Sequence, residues 1–229
     1  MKVIKNCIVC LGLMLSGLAL TASADSNWQL RKDKEGIQVY TRTIEGSPHD
    51  AVKAITRVEN LSLTSLVALL DDVEACDDWA DRCVESTDFK RVSDTEAYVY
   101  THNDLPFPVK DRDVLTHVVW TQNPDTREVV MSSRATTGLM AKVKGRLRLT
   151  DATTRWRFRP LPSGKIEVSN ESHINPGSSL PGWVTNMLLI ETPYETIKSF
   201  VAEARKPKYQ RAEVSFVADD SASVADNRF

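Results

Sequence analysis

Two stretches decide the fold: Pro106-Phe107-Pro108-Val109-Lys110-Asp111-Arg112-Asp113 and Asn175-Pro176-Gly177-Ser178-Ser179-Leu180-Pro181-Gly182-Trp183. In the first, two prolines stiffen a turn, and the residues from Asp111 onward begin a strand. The second ends a strand and opens the last helix. Around them lie β-rich segments at about 84–92, 96–103, 111–122, 127–136, 144–150, 153–160 and 164–174. The turns between carry Ser93-Asp94, Asn123-Pro124-Asp125, Asp151 and Pro162-Ser163-Gly164. Consecutive strands with short turns favour antiparallel meanders. No strand–helix alternation appears, so a doubly wound sheet is excluded.

Upstream, 36–44 and 50–59 have strand character on either side of Gly46-Ser47-Pro48, which predicts a hairpin. Ser62 is placed to cap a helix with apolar positions at Leu63, Leu66, Val67, Leu70 and Val73. The final helix is expected from Ser178 or Ser179, with Leu180, Trp183, Val184, Met187, Ile190, Tyr194, Ile197, Val201 and Ala204 along one stripe. Pro193 lacks an amide donor and predicts a kink. Early hairpin, helix, run of strands and long terminal helix make an α+β chain. A curved antiparallel sheet wraps the last helix, and pattern alone leaves open whether the space between is packed or hollow.

Met1-Lys2-Val3-Ile4-Lys5, an apolar run from Cys7 to Leu20 and Ala22-Ser23-Ala24 have the form of a cleavable export signal over residues 1–24. The apolar run is shorter than the roughly 20 residues a membrane-spanning helix needs. Residues 25–206 then form one domain, and 207–229 read as a polar, flexible tail. Formal charge is −2, and removing Lys2 and Lys5 makes it −4. That balance does not suit a nucleic-acid binder, whose affinity comes mainly from basic side chains. Two of the four cysteines remain, Cys76 and Cys83. On one continuous helix their Cα atoms would lie about 10 Å apart, too far to bridge. They pair only if the helix ends between them; otherwise they are two thiols.

The ordered motifs resemble the START family, the lipid-transfer domains related to the steroidogenic acute regulatory protein. The resemblance runs over about 26–206. It takes in Trp28, Leu69-Leu70-Asp71-Asp72-Val73-Glu74 leading to Trp79, and Glu96-Ala97-Tyr98-Val99-Tyr100. It continues through Pro106–Asp113, Gly145-Arg146-Leu147, Trp156-Arg157-Phe158-Arg159-Pro160 and Asn175–Trp183. Asn175 stands where the family usually has Asp; it still accepts a hydrogen bond in the turn. The resemblance implies a helix-grip fold with an internal apolar cavity. It also implies one bound phospholipid, sterol, fatty acid or isoprenoid, no cofactor and no metal. A monomer making transient membrane contact, in the periplasm or secreted, fits that reading. A lid is implied at Thr137-Gly138-Leu139-Met140, where Leu139 and Met140 put apolar surface at a glycine-permitted tip.

Candidate ligand contacts are Tyr98, Tyr100 and His102 on one strand face, the arginines Arg112 and Arg134, and His173. Trp183, Met187 and Ile190 are expected on the sheet-facing side of the last helix. Each also has a structural reading: ion pair, solvated face or ordinary packing. Catalytic patterns are missing. The four histidines (His49, His102, His117, His173) have no metal-ligand spacing, and there is no G-x-S-x-G and no glycine-rich phosphate loop. Two alternatives to a carrier stay open. One is an enzyme, such as a cyclase or hydrolase acting on a hydrophobic substrate; the other is an interaction module with a packed core.

Overall fold

The computed structural model describes residues 27–219; the expected export signal and residues 220–229 lie outside the described residues. Period-two burial builds the sheet. In β2 (Ile37–Arg42) Ile37, Val39 and Thr41 are buried. In β9 (Ala152–Pro160) Trp156 and Phe158 point in while Arg155, Arg157 and Arg159 are exposed. The other strands are β1 (Gln29–Lys34), β3 (Ala51–Val58), β4 (Cys83–Ser93), β5 (Glu96–Asn103), β6 (Arg112–Gln122), β7 (Val129–Ala135), β8 (Leu147–Arg148) and β10 (Ile166–Ile174). They form one sheet in the order β1-β2-β3-β10-β9-β7-β6-β5-β4, antiparallel throughout, with β8 running parallel beside β6. The expected 36–44/50–59 hairpin is the β2–β3 pair. Sequence pattern misses β1 because Gln-Leu-Arg-Lys-Asp-Lys is nearly all polar, as befits an edge strand that discourages further pairing. It over-extends β8, where 144–150 contains two strand residues.

Ser62 caps α1 (Leu63–Asp71): its hydroxyl accepts the Ser65 amide at 3.0 Å, and Ser65 Oγ accepts the Ser62 amide in return. Leu63, Leu66, Val67 and Leu69 are buried. A 3₁₀ turn (Val73–Ala75) and the short α2 (Cys76–Trp79) come next. The helix ends at Trp79, and Cys83 begins β4. The two cysteines therefore come within 5.9 Å Cα to Cα and form a disulfide.

The last helix starts later than expected, at Gly182. Pro181 occupies the cap position, and the residue before a proline is held out of the helical region. It runs as α3 (Gly182–Asn186), a π-helical turn (Met187–Glu191) and α4 (Thr192–Glu203). The disturbance expected from Pro193 thus takes the form of that wide turn. Counting back from buried Tyr194 in steps of three and four reaches Ile190, Met187 and Trp183. The residue actually buried before the turn is Val184, while Met187 and Ile190 are half-buried and Trp183 is exposed.

Under α4 the core is solid. Tyr194, Ile197 and Phe200 lie fully buried, and Phe200 packs with Trp79, Trp156 and Phe158 at ring-centroid distances of 5.0, 4.7 and 6.0 Å. The reading of 207 onward as a tail is corrected by α5 (Pro207–Gln210) and by the packed segment from 211 to 219. Tyr209 is buried and donates to Asp72 Oδ2 at 3.0 Å. Phe216 lies against Trp120, and Asp219 accepts hydrogen bonds from the Thr64 amide and hydroxyl. Tyr209, Val214, Phe216 and Val217 supply apolar anchors too widely spaced to extend a helical stripe.

Candidate functional site

At the other side of the sheet the inner face is hollow. A cavity of about 340 Å³ lies between β5, β6, β7, β9 and β10 on one side and α1, α2 and their connecting turn on the other. That volume falls toward the lower end of the ~300–1,000 Å³ typical of ligand pockets. Its wall is read from strand parity: Ala97, Val99, Thr101 and Asn103 on β5; Val114, Thr116, Val118 and Trp120 on β6; Met131 and Ser133 on β7. Ala152, Thr154 and Trp156 on β9 continue it, with Asn170, Ser172 and Ile174 on β10. The disulfide and Trp79 close it from the helical side, and Thr196 is the contribution of the last helix.

The segment that closes the cavity also clamps α4. Thr192 Oγ1 donates to Asp81 Oδ2 at 2.7 Å, and the Asp81 amide donates to Thr196 Oγ1 at 3.2 Å. The expected ligand contacts lie elsewhere: none of Tyr98, Tyr100, His102, Arg112, Arg134, His173, Trp183, Met187 and Ile190 lines this cavity. On β5, β7 and β10 the expectation is one residue out of phase, which moves every side chain to the opposite face. Tyr98 stacks on His117 outside the sheet, at 4.9 Å between ring centroids, and Arg134 is exposed. His173 hydrogen-bonds Ser47 Oγ at 3.0 Å, holding the β2–β3 turn.

Tyr100 and His102 instead belong to a polar outer wall that fastens loops, and Arg112, though in phase with the lining Val114, is also spent on loops. Arg148 makes two hydrogen bonds to the buried Asp113 carboxylate, at 3.0 and 2.9 Å. Tyr100 donates to Asp113 Oδ2 at 3.1 Å, and Arg146 donates to Tyr100 Oη and to Glu85. Burial pushes the Asp113 carboxyl up, but the Arg148 hydrogen bonds and charge outweigh it and hold it below its ordinary value. Burial likewise raises the Tyr100 phenol. His102 Nε2 lies 3.0 Å from Asp111 Oδ2, and that hydrogen bond lowers the Asp111 carboxyl.

Arg112, 4% exposed, joins the two defining motifs without a carboxylate partner among the described residues. Its guanidinium donates to Lys110 O, to Pro176 O at 3.4 Å and to Ser178 Oγ at 3.0 Å. Gly177 beside it has φ +76°, a backbone conformation that strains any residue with a Cβ, and a Cβ there would also push on Leu147 Cδ2, 2.6 Å away. Asn175 Oδ1 accepts the Gly177 amide at 3.0 Å and closes the turn. The loop at 136–146 is tethered through Arg148, whose guanidinium donates to Met140 O and Ala141 O at 3.3 Å. Leu139 is exposed and Met140 half-buried, and neither lines the cavity.

A hollow antiparallel sheet closed by a helix, with this pair of loops pinned at one end, agrees with the model of the START domain, which matches residues 13–209. The chain belongs to the START family. It is similar to an uncharacterized protein of Pseudomonas aeruginosa, 30% identical over 190 residues that cover 83% of this chain and 92% of that one. It also resembles the crystal structure of a STAR-related lipid transfer protein from Xanthomonas axonopodis, with a TM-score of 0.71 and 31% identity. That match covers 79% of this chain and 99% of the other. Human STARD10 shares the fold at a TM-score of 0.69 and 20% identity, over 82% of this chain and 77% of its own. Within this START domain, the wall residues that sequence reading missed include a small or β-branched set: Ser133, Thr154, Ser172 and Thr116. The signal that could have found them is the alternate set on each strand. A hollow needs short side chains, and the bulky tyrosines of β5 occupy the other face.

Proposed function

We propose that this START chain is a non-catalytic lipid carrier that holds one hydrophobic molecule in the cavity beneath α1 and α2. The observation that carries the reading is the cavity itself: about 340 Å³ lined by a largely apolar inner wall. Each methylene moved from water into such a space contributes about 0.8 kcal/mol, so a single chain binds without metal or cofactor. Among the described lining residues the one ionisable side chain is Asp71, held by Arg91 at 2.9 Å. Acid–base catalysis needs a free titratable group at the reacting centre, and that pairing favours carriage over chemistry. The Xanthomonas relative is a lipid transfer protein by name, which supports the same reading.

In this proposal residues 1–24 export the chain to the periplasm or beyond, and it works there as a monomer. It meets membranes through one end of the sheet. Strand register brings the β5–β6, β7–β8 and β10–α3 connections to that end. The first two carry Phe107 and Leu139, 93% and 52% exposed, and the first turn of α3 that follows the third carries Trp183, 55% exposed. Lys110, Lys142 and Lys144 belong to the same loops. Apolar tips among lysines suit an anionic bilayer surface, where each basic residue contributes about 1 kcal/mol. Native mass spectrometry of the protein purified from its own host tests the carrier reading. One lipid mass per chain, lost on organic extraction, is expected. A ligand-free mass that stays unchanged after incubation with host lipid extract would overturn it.

A further inference from the structure

We infer that the cavity selects an uncharged lipid, whose hydroxyl, ester or amide group sits against Ser133, Thr154 and Ser172; this rests on the carrier reading above. The three residues occupy one lateral row. Val118 of β6 pairs with Ser133 of β7, Ser133 with Thr154 of β9, and Thr154 with Ser172 of β10. Directly paired residues place their Cβ atoms about 4.5–5.5 Å apart, so three hydroxyls stand side by side on the cavity wall. Thr154 Oγ1 and Ser172 Oγ lie 3.2 Å from each other, and Ser172 Oγ donates to Asn170 Oδ1 at 3.4 Å. Ser133 extends the row with no side-chain partner among the described residues. A hydroxyl both donates and accepts, which matches a neutral polar group of either kind.

Charge is excluded from the same wall. Among the described residues no Lys, Arg or His side chain lines the cavity, and the single carboxylate there, Asp71, is bound to Arg91. Arg134, Arg155 and Arg157 take the other face and are exposed, Arg148 is bound to Asp113, and Arg112, which shares the inward phase of Val114, is turned to Lys110 O, Pro176 O and Ser178 Oγ and does not line the cavity. A carboxylate or phosphate carried into the hollow would meet no countercharge. Its lost hydration would go uncompensated, whereas a neutral group meeting the hydroxyl row exchanges water hydrogen bonds for equivalent ones. The modest volume suits one chain or a compact isoprenoid rather than a two-chain lipid taken in whole.

Matched probes test this at pH 8: tetradecanol against tetradecanoate, and farnesol against farnesoic acid. Binding to delipidated full-length protein can be read by tryptophan fluorescence, because Trp79, Trp120 and Trp156 border the cavity. Each alcohol is expected to bind at least about ten-fold tighter than its acid. Ser133→Ala combined with Thr154→Val and Ser172→Ala should narrow that preference to less than about three-fold. Ser133→Ala alone should narrow it partly if the triple variant does not fold. Equal or tighter binding of the acids, or a preference unmoved by these substitutions, would overturn the inference and leave the carrier reading standing. Failure of all four probes, with the host extract also giving no bound mass, would overturn both.

Discussion

The two halves of the inner sheet face are built on the same alternation and end differently. Beneath α4, the inward positions carry Val39, Phe158 and Val168, and Tyr194, Ile197 and Phe200 descend onto them until no space remains. Beneath α1 and α2, the inward positions include the short Ala97, Thr101, Thr116, Ser133, Thr154 and Ser172 beside the larger Trp120 and Met131, and Trp79 and the disulfide border the gap from the helical side without filling it. Side-chain volume at alternate positions, rather than backbone architecture, separates a core from a container. The packed half supplies the stability that lets the other half stay empty.

The largest effect expected is on the packed half. Phe200→Ala should cost about 3–5 kcal/mol in denaturant unfolding, because the aromatic cluster of Trp79, Trp156 and Phe158 cannot close over the space. Ser133→Leu in the hollow half should cost little stability while abolishing ligand uptake. A comparable stability loss from both would erase the distinction.

Next comes the outer wall of the hollow half. Asp113→Asn leaves Arg148 buried without its countercharge, and about 3 kcal/mol of stability should be lost at pH 7. Because the native Asp113 carboxyl lies below its ordinary value of 3.8, its contribution is complete above that pH and disappears as pH falls through the native value. An acid-unfolding profile should therefore steepen below about pH 4 in the wild type and less so in the variant. Identical profiles would show that the pair does not hold the wall.

Opening the disulfide by Cys76→Ser with Cys83→Ser should lower stability by about 2 kcal/mol, as expected for so short a closed loop. The larger consequence should be for the cavity that both cysteines line, with faster ligand escape in a dilution assay. An unchanged escape rate would make the bond a staple for stability alone. The smallest effect on folding belongs to the loop tip. Leu139→Ser with Met140→Ser should change unfolding free energy by no more than about 0.5 kcal/mol, yet slow transfer to anionic liposomes. A large stability loss would move the pair from the membrane surface into the core.

Much of this architecture is legible in the residues. Ser62 announces α1, the turn clusters separate the strands, and the motifs at 106–113 and 175–183 give the START resemblance. The phase of the strands is not legible in the same way. Tyr98, Tyr100 and His102 look like a ligand-binding face because they carry chemistry, but their neighbours Ala97, Val99 and Thr101 face inward and they do not. Both faces of β5 are largely covered, one by the cavity and one by the loops that Asp111, Asp113 and Arg148 fasten. Burial therefore does not distinguish them from pattern alone. Arg112 illustrates a second limit. Its partners are mainly backbone carbonyls, one of them brought near by a turn far along the chain, and no local spacing encodes them.

The π-helical turn at Met187–Glu191 bears on how relatives align with this chain. One extra residue there offsets everything before it from everything after it by about 100° around the axis. A START chain that keeps a regular helix through this point should align with this one only by opening a single-position gap inside the helix. Gap-free alignment would shift all of α3 by one position against such a relative, so that exposed Trp183 and buried Val184 are each set against a residue that faces another way. Deleting one residue from the turn should rotate α3 about its axis in the molecule itself, moving Val184 out of its buried position while Tyr194, Ile197 and Phe200 stay in place.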